Sequence, residues 1–172
     1  MKRIMRKPTR LSSFDYSTPG MYFITICTAQ RKCILSSVEG GGVLDAPRIE
    51  LRPYGVIAQT VLCEMDQTYG YLSIEKHVIM PNHIHLLLRV SESKANGSSR
   101  TPTPANEIVP RFVSTFKRFC NKYYQKNIWQ RSYDDRVIRN ETMYRNVWEY
   151  MDTNPYKWQE DRYFRESGLF VK

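Results

Sequence analysis

The 172-residue sequence contains no long apolar segment. No run of about 18 consecutive apolar residues occurs, which is the length that a membrane-spanning helix needs. The basic residues near the N-terminus are not followed by an apolar region, so they do not have the pattern of a secretory signal. We therefore expect a cytoplasmic protein.

Several short motifs that mark particular enzyme classes are also missing. The four cysteines form no CxxC pair, which argues against structural zinc, and they are too few for a disulfide scaffold, so we expect reduced and mostly buried thiols. No GxxxxGK[ST] phosphate loop is present. A zinc nucleobase deaminase is excluded because the sequence has neither HxE nor PCxxC.

Positive charge is abundant. Lysine and arginine number 26 against 17 acidic residues, so the formal charge is +9 and the isoelectric point lies near 9.5. A polyanion is therefore the first partner to consider, although charge alone does not say which one. The length and the hydrophobic content of 41% fit one compact domain better than two full-sized ones.

The order of predicted elements indicates an α+β domain with helices on one face of an antiparallel sheet. A β-rich run at 21–28 predicts a strand, and runs at 71–80 and 84–90, separated by Pro81-Asn82, predict a hairpin. Apolar spacing predicts helices from Pro53 to Gly70, over 108–124, and from about Asn140 to Pro155. The apolar stripes of these three helices are Val56, Ile57, Val61, Leu62 and Met65; Val109, Phe112, Val113, Phe116 and Phe119; and Met143, Tyr144, Val147, Trp148 and Met151.

Composition divides the chain further. Residues 1–19 form a basic N-terminal arm, and 20–172 form a single domain with flexible insertions near 39–48 and 91–106, which are rich in glycine or in serine and proline. The sequence leaves open whether the chain acts as a monomer or as a homodimer.

Two of the three histidines stand together as His83-Ile84-His85. Because side chains alternate along a strand, His83 and His85 point to one face, and Ile84, Leu86, Leu88 and Val90 point to the other. Two imidazoles on one face can bind a divalent metal and leave positions open for a substrate. The pair also fits ordinary strand residues on a polar face, and His77, which has no motif around it, is interpreted as structural.

These residues belong to strings that resemble a known family. The string MPNHIHLLL at 80–88, with GMYFITICT at 20–28 and LRPYG at 51–55, resembles the single-tyrosine HUH transposases of the IS200/IS605 type, and in particular the REP-associated tyrosine transposases. Three later strings follow the order of that branch: FKRFCNKYY, IWQRSYDDRVIRNE and YMDTNPYKWQEDR. The resemblance extends from about residue 20 to 165, except for the two insertions.

The resemblance implies a fold, a reaction and a set of site residues. The fold is ferredoxin-like (RRM-like), with the histidine motif on a central strand and the tyrosine on a C-terminal helix. The family cleaves single-stranded DNA near hairpins by attack of a tyrosine hydroxyl, which leaves a 5′-phosphotyrosine and a free 3′-OH, and it rejoins the strand without ATP. Tyr150 matches the catalytic tyrosine, and Asn154 matches the residue that completes a Mg²⁺ or Mn²⁺ site with His83 and His85. The resemblance also implies a bacterial protein, which associates with the nucleoid when it binds DNA.

Tyr150 and Asn154 each also fit a purely structural role. Tyr150 falls at the border of the apolar stripe, where its ring can pack while its hydroxyl reaches a cleft, but it also fits a half-buried packing residue. Asn154, directly before Pro155, also fits a helix cap. Tyr133 is the second candidate for the nucleophile.

Basic side chains near aromatic residues are candidates for contact with single-stranded or hairpin DNA. These are Lys2, Arg3, Arg6, Lys7, Arg10, Arg111, Lys117, Arg118, Lys122 and Arg131. A different class of function, a non-catalytic nucleic-acid-binding module of the same fold, remains as the rival hypothesis.

Overall fold

The computed structural model describes residues 18–40, 46–91 and 108–165. The predicted N-terminal arm and the insertion near 91–106 therefore lie almost wholly outside the described residues. Strands within these ranges are β1 (Gly20–Cys27), β2 (Ser36–Glu39), β3 (Arg48–Leu51), β4 (Leu72–Ile79), β5 (His83–Val90) and β6 (Asp134–Ile138). The α-helices are α1 (Pro53–Thr68), α2 (Ile108–Tyr124) and α3 (Glu141–Thr153). None of the described helices is long and apolar enough to cross a membrane.

The main sheet has four antiparallel strands in the order β4-β5-β1-β6. With α1 between β1 and β4, and α2 between β5 and β6, this is the βαββαβ order of a ferredoxin-like fold, and the predicted fold class is confirmed. β5, which begins at His83, lies inside the sheet between β4 and β1. The sequence pattern missed β6, because its run DDRVI opens with two acidic residues, and it missed the β2–β3 hairpin that flanks residues 41–45.

Helices cover both faces of the sheet, which corrects the prediction of one covered face. Helices α1 and α2 pack with Ile84, Leu86 and Leu88 into the larger core. Helix α3 packs on the other face, where its Val147 and Met151 form a small buried cluster with Leu87 of β5. The face that carries the histidines is thus the face that α3 covers.

Two residues of the predicted apolar stripes are exposed instead of buried. Val56 is 50% exposed because it lies beside the buried stripe of α1. The residues of that stripe are Gly55, Ala58, Val61, Leu62 and Met65. Phe119 is 39% exposed because Cys120, four residues after Phe116, takes the inward position on α2.

Gly55 lies where α1 approaches the backbone of Leu35. A Cβ built on Gly55 would stand 2.0 Å from the Leu35 carbonyl oxygen, which itself accepts a hydrogen bond from the Arg52 amide. We expect Gly55→Ala to lower the free energy of unfolding by about 1–3 kcal/mol or more, because a backbone must move to admit the methyl group. Chemical denaturation of the full chain measures this change.

Gly70→Ala is the matched control, since a Cβ there meets nothing within 4 Å. Its free energy of unfolding should change by no more than about 0.5 kcal/mol. Equal stability of the two variants would contradict the close approach at Gly55.

One local and one long-range interaction fix the two ends of α3. The side chain of Asn140 accepts a hydrogen bond from the Met143 amide, which is the predicted N-cap. Near the other end, Lys76 of β4 lies 2.5 Å from Asp152 and its ammonium stands 4.0 Å above the Trp148 ring. These contacts set the rotation of α3 on the sheet and therefore the direction in which Tyr150 points.

Candidate active site

The histidine pair lies at the start of β5, on the face covered by α3. His83 and His85 are 0% and 1% exposed, and their register partners on β1 are Cys27 and Thr25. The predicted alternation of the motif is confirmed, since Ile84 between them belongs to the core on the opposite face. His77, whose register partner is Leu86, faces that other core and lies away from the pair.

Neighbouring polar groups fix the orientation of His83. Asn82 donates its Nδ2 to the carbonyl oxygens of Tyr163 at 2.8 Å and of Arg31 at 3.3 Å, so its Oδ1 must face the imidazole. That oxygen lies 2.9 Å from His83 Nδ1. His83 therefore carries its proton on Nδ1, and the lone pair of its Nε2 is directed into the site.

His85 is oriented in the same way by Thr25. The hydroxyl of Thr25 lies 2.9 Å from His85 Nδ1, and the Nε2 atoms of the two histidines are 3.0 Å apart. Two ligand atoms at right angles around an ion, each about 2.1 Å from it, are separated by about 3.0 Å. The pair thus has the spacing of two adjacent ligands in an octahedral site.

Both imidazoles are neutral at physiological pH. Burial, with smaller effects of Arg162 and Arg31, lowers the pKa of His83 to about 3. Burial and the adjacent His83 lower the pKa of His85 well below its usual value. Because a metal binds the neutral form, protons do not compete for these nitrogens near pH 7.

Tyr150 lies beside the histidines, on the last full turn of α3. Its ring makes edge contacts with Phe23 and His85, and the residue is 37% exposed. Its hydroxyl stands 3.3 Å from His85 Nε2 and donates to Asp161 Oδ2 at 2.9 Å. Burial first, and then the Asp161 carboxylate, raise the pKa of this hydroxyl, so it keeps its proton unless an acceptor or a cation intervenes.

Asp161 is a site residue that the sequence pattern did not identify. One ligand atom each of His83, His85 and Asp161 lie within 4.8 Å of one another, and this group could hold a metal ion. Asp161 Oδ2 also accepts a hydrogen bond of 2.6 Å from Asn154 Nδ2. No rule of spacing predicts this residue, because only the return of the chain after α3 brings it to the histidines.

Asn154 lies at the C-cap of α3 and is 2% exposed. Its backbone keeps helical angles although Pro155 follows, and the amide of Lys157 bonds to the Thr153 and Asn154 carbonyls in the turn beyond. Its Oδ1 is buried and has no hydrogen-bond partner among the described residues. A buried oxygen of this kind, on a side chain that contacts the Asp161 carboxylate of the His83–His85–Asp161 group, fits a divalent cation.

The segment after α3 covers the histidines from outside. The rings of Trp158 and Tyr163 pack against His83 at centroid distances of 5.9 and 4.7 Å. Tyr163 donates its hydroxyl to Asp134 Oδ2 at 2.6 Å, and the Arg31 guanidinium lies over its ring. This cover keeps water from His83 and explains why burial lowers its pKa so far.

The remaining predicted site residues lie elsewhere. Tyr133 is 9% exposed and belongs to the larger core, away from the histidine face. Lys117 donates to the carbonyl oxygens of Gln130, Arg131 and Ser132, so its ammonium is engaged within the protein. Arg111, Arg118, Lys122 and Arg131 are exposed, but the three on α2 belong to the helix layer across the sheet from Tyr150. Lys2, Arg3, Arg6, Lys7 and Arg10 lie outside the described residues.

Comparisons with known proteins add a similarity in sequence and in fold. No protein-family model matches the chain. An uncharacterized protein of Haemophilus influenzae (strain Rd) is 26% identical over an alignment of 174 positions, which covers 92% of this chain and 93% of that protein. A second protein of the same strain, named "Putative REP-associated tyrosine transposase", is 32% identical over 82 residues, covering 46% of this chain and 47% of that one.

A solved structure shares the fold. The structure of a REP-associated tyrosine transposase bound to a REP hairpin aligns with a TM-score of 0.55 and 19% identity, over 81% of this chain and 68% of that one. The resemblance inferred from the motifs is thereby confirmed. By its fold, and by the sequence of nearly half its length, the chain is similar to REP-associated tyrosine transposases.

Proposed function

We propose that this protein is a DNA strand transferase that cuts and rejoins single-stranded DNA next to a hairpin through a covalent 5′-phosphotyrosine on Tyr150. The observation that carries the proposal is the position of the Tyr150 hydroxyl, 3.3 Å from His85 Nε2 and 2.9 Å from Asp161 Oδ2. A partly exposed nucleophile whose hydroxyl contacts a proton acceptor is the arrangement that covalent catalysis requires.

The chemical step uses groups that are already in contact. Tyr150 Oη attacks the phosphorus, a new O–P bond forms, and the bond from phosphorus to the 3′-oxygen breaks. The phenol proton passes to Asp161 Oδ2, which accepts the hydrogen bond of the hydroxyl, and the departing 3′-oxygen takes a proton from solvent. The reverse attack by a 3′-OH rejoins a strand, because the phosphotyrosine keeps the energy of the phosphodiester bond.

Four side chains would hold the divalent cation of this reaction, Mn²⁺ or Mg²⁺. They are His83 and His85 through Nε2, Asp161 through its carboxylate, and Asn154 through its buried Oδ1. The mixture of nitrogen and oxygen donors favours Mn²⁺ over Mg²⁺. When bound, such an ion polarises the scissile phosphate and offsets the negative charge that develops on its oxygens.

Hairpin DNA is the proposed substrate because the solved structure with the shared fold is bound to a REP hairpin. The formal charge of +9 supports binding to a phosphate backbone, and such binding weakens with added salt. A substrate of this kind would place the protein with the DNA in the bacterial cytoplasm.

The proposal is tested with hairpin oligonucleotides that carry a single-stranded flank and a label at either end. In Mn²⁺, the wild-type protein should form an adduct that survives denaturation and carries the label of the strand 3′ to the cut. The fragment on the other side should end in a free 3′-OH, which a polymerase can extend. Chelation of the metal should abolish the adduct.

A non-catalytic nucleic-acid-binding module gives a different result. It would retard the oligonucleotide in a gel at every metal concentration and would never become attached to it. An adduct that carries the label of the strand 5′ to the cut would contradict the proposed polarity.

A further inference from the structure

A cavity of about 570 Å³ adjoins the Tyr150 hydroxyl and His85. It lies between α3 and the β1–β6 edge of the sheet, where Phe23 and Thr25 of β1 line it together with side chains of α3. Among the residues that line this cavity, the reaction proposed above directly involves only Tyr150 and His85. Its volume is within the range of small-ligand sites, which is about 300–1,000 Å³.

The lining of the cavity suits a flat aromatic ring. Phe23 stacks on His85, with centroids 5.0 Å apart and planes at 28°, and it also lines the cavity. Met143 and Val147 supply an aliphatic wall from α3. Bases without a pairing partner bind to proteins by stacking on such side chains, because every base has a π-face.

The rim of the cavity carries polar groups that suit the rest of a nucleotide. Asn146 is exposed on α3, and its amide has a donor and an acceptor, as the edge of a base requires. Arg136 of β6, directly opposite Phe23 in register, forms no ion pair with any described residue. Two aspartates, Asp134 and Asp135, line the cavity beside Arg136, and Asp134 is occupied by Arg162 and by the Tyr163 hydroxyl.

The position of Tyr150 ties this cavity to the cut. Its ring lines the cavity, while its hydroxyl lies at the histidines. A strand whose phosphate reaches that hydroxyl can therefore place an adjoining nucleotide in the cavity.

We propose that this cavity binds the unpaired nucleotide next to the scissile phosphate, with its base between Phe23 and Met143, its edge at Asn146 and a phosphate at Arg136. The inference rests on the proposed function. It makes the cavity the place where the protein selects a base at one position beside the cut.

The test uses 2-aminopurine, a fluorescent base that is quenched when it stacks. Hairpin oligonucleotides carry it at one unpaired position at a time, and binding is measured in EDTA so that cleavage does not contribute. We expect one position, adjacent to the cut, to be quenched on binding. Phe23→Leu should remove that quenching and weaken binding roughly tenfold, which is the size expected for one stacked base.

Two further variants separate the roles of the rim. Asn146→Ala should make the affinities for the four bases equal at the quenched position. It should leave the base preference at every other position unchanged. Arg136→Ala should weaken binding to all sequences equally and lower the salt slope by about one. Arg145→Ala is the matched control, because Arg145 lies on the solvent face of α3 and pairs with Glu141, so it should change neither property.

The possible failures are distinguishable. If the wild-type protein binds the oligonucleotides but no position is quenched, or if quenching survives both Phe23→Leu and Asn146→Ala, the subsite is overturned while the proposed function stands. If the wild-type protein binds no hairpin DNA, both are overturned.

Discussion

Tyr150→Phe is expected to reduce covalent adduct formation at least about a thousandfold, because the variant lacks the attacking oxygen. The Tyr163 hydroxyl, on the other phenol described beside the histidines, belongs to a buried residue and is bonded to Asp134. Binding of hairpin DNA should persist, since the ring of residue 150 keeps its edge contacts with Phe23 and His85. The variant loses the hydrogen bond to Asp161, so its free energy of unfolding should fall by only about 1 kcal/mol. Denaturing gels with labelled DNA measure the adduct, and chemical denaturation measures the stability.

Two other tyrosines serve as controls for this prediction. Tyr156→Phe removes a hydroxyl from a residue that is 63% exposed just beyond α3, and it should leave the adduct unchanged. Tyr133→Phe alters the larger core and should also leave it unchanged. An adduct that survives Tyr150→Phe but disappears in Tyr133→Phe would assign the nucleophile to Tyr133, and the site described above would then be wrong.

His85→Ala is expected to weaken Mn²⁺ binding by roughly a hundredfold or more, because it removes a metal ligand. Removal of a residue that only hydrogen-bonds to a metal ligand lowers metal affinity by about 10–100-fold. Electron paramagnetic resonance of free Mn²⁺ measures this without any turnover. Thr25→Val keeps the shape of its residue and removes the hydroxyl that lies 2.9 Å from His85 Nδ1. This variant should weaken binding by about 10–100-fold.

His77→Gln is the matched control, because it replaces a histidine on the opposite face of the sheet. It should bind Mn²⁺ like the wild-type protein. Asp161→Asn should also bind the ion more weakly, since it removes the only negative charge of the proposed ligand group. Unchanged Mn²⁺ affinity in both His85→Ala and Asp161→Asn would contradict the proposed metal site.

Local patterns were sufficient for much of the fold. Enrichment in β-branched and aromatic residues placed β1, β4 and β5, and the alternation of side chains along a strand placed His83 and His85 on one face. Helical periodicity gave the bounds of α2, and Asn140 marked the start of α3. Such signals are readable because each depends on residues within a few positions along the chain.

The pattern failed where the determining contact is distant. An edge strand with a charged start, β6, has no local signal, because its pairing partner β1 lies more than a hundred residues earlier. The face that α3 covers was predicted wrongly for a similar reason, since an apolar stripe of Val147 and Met151 fits either side of a sheet. Leu87 and the Lys76–Asp152 pair decide the side.

The sequence by itself determined the strand with paired imidazoles, the helix that carries Tyr150 and the positive charge that suits DNA. Only the tertiary structure brought Asp161 to the Tyr150 hydroxyl, joined Asn82 and Thr25 to the histidines, and opened the cavity beside Phe23. The physical reason is that periodicity fixes which face a side chain takes within its own element, whereas the chemistry of this site arises between elements. Those elements meet through the pairing of β1 with β5, the packing of α3 on the sheet, and the contacts of Trp158 and Tyr163 with His83.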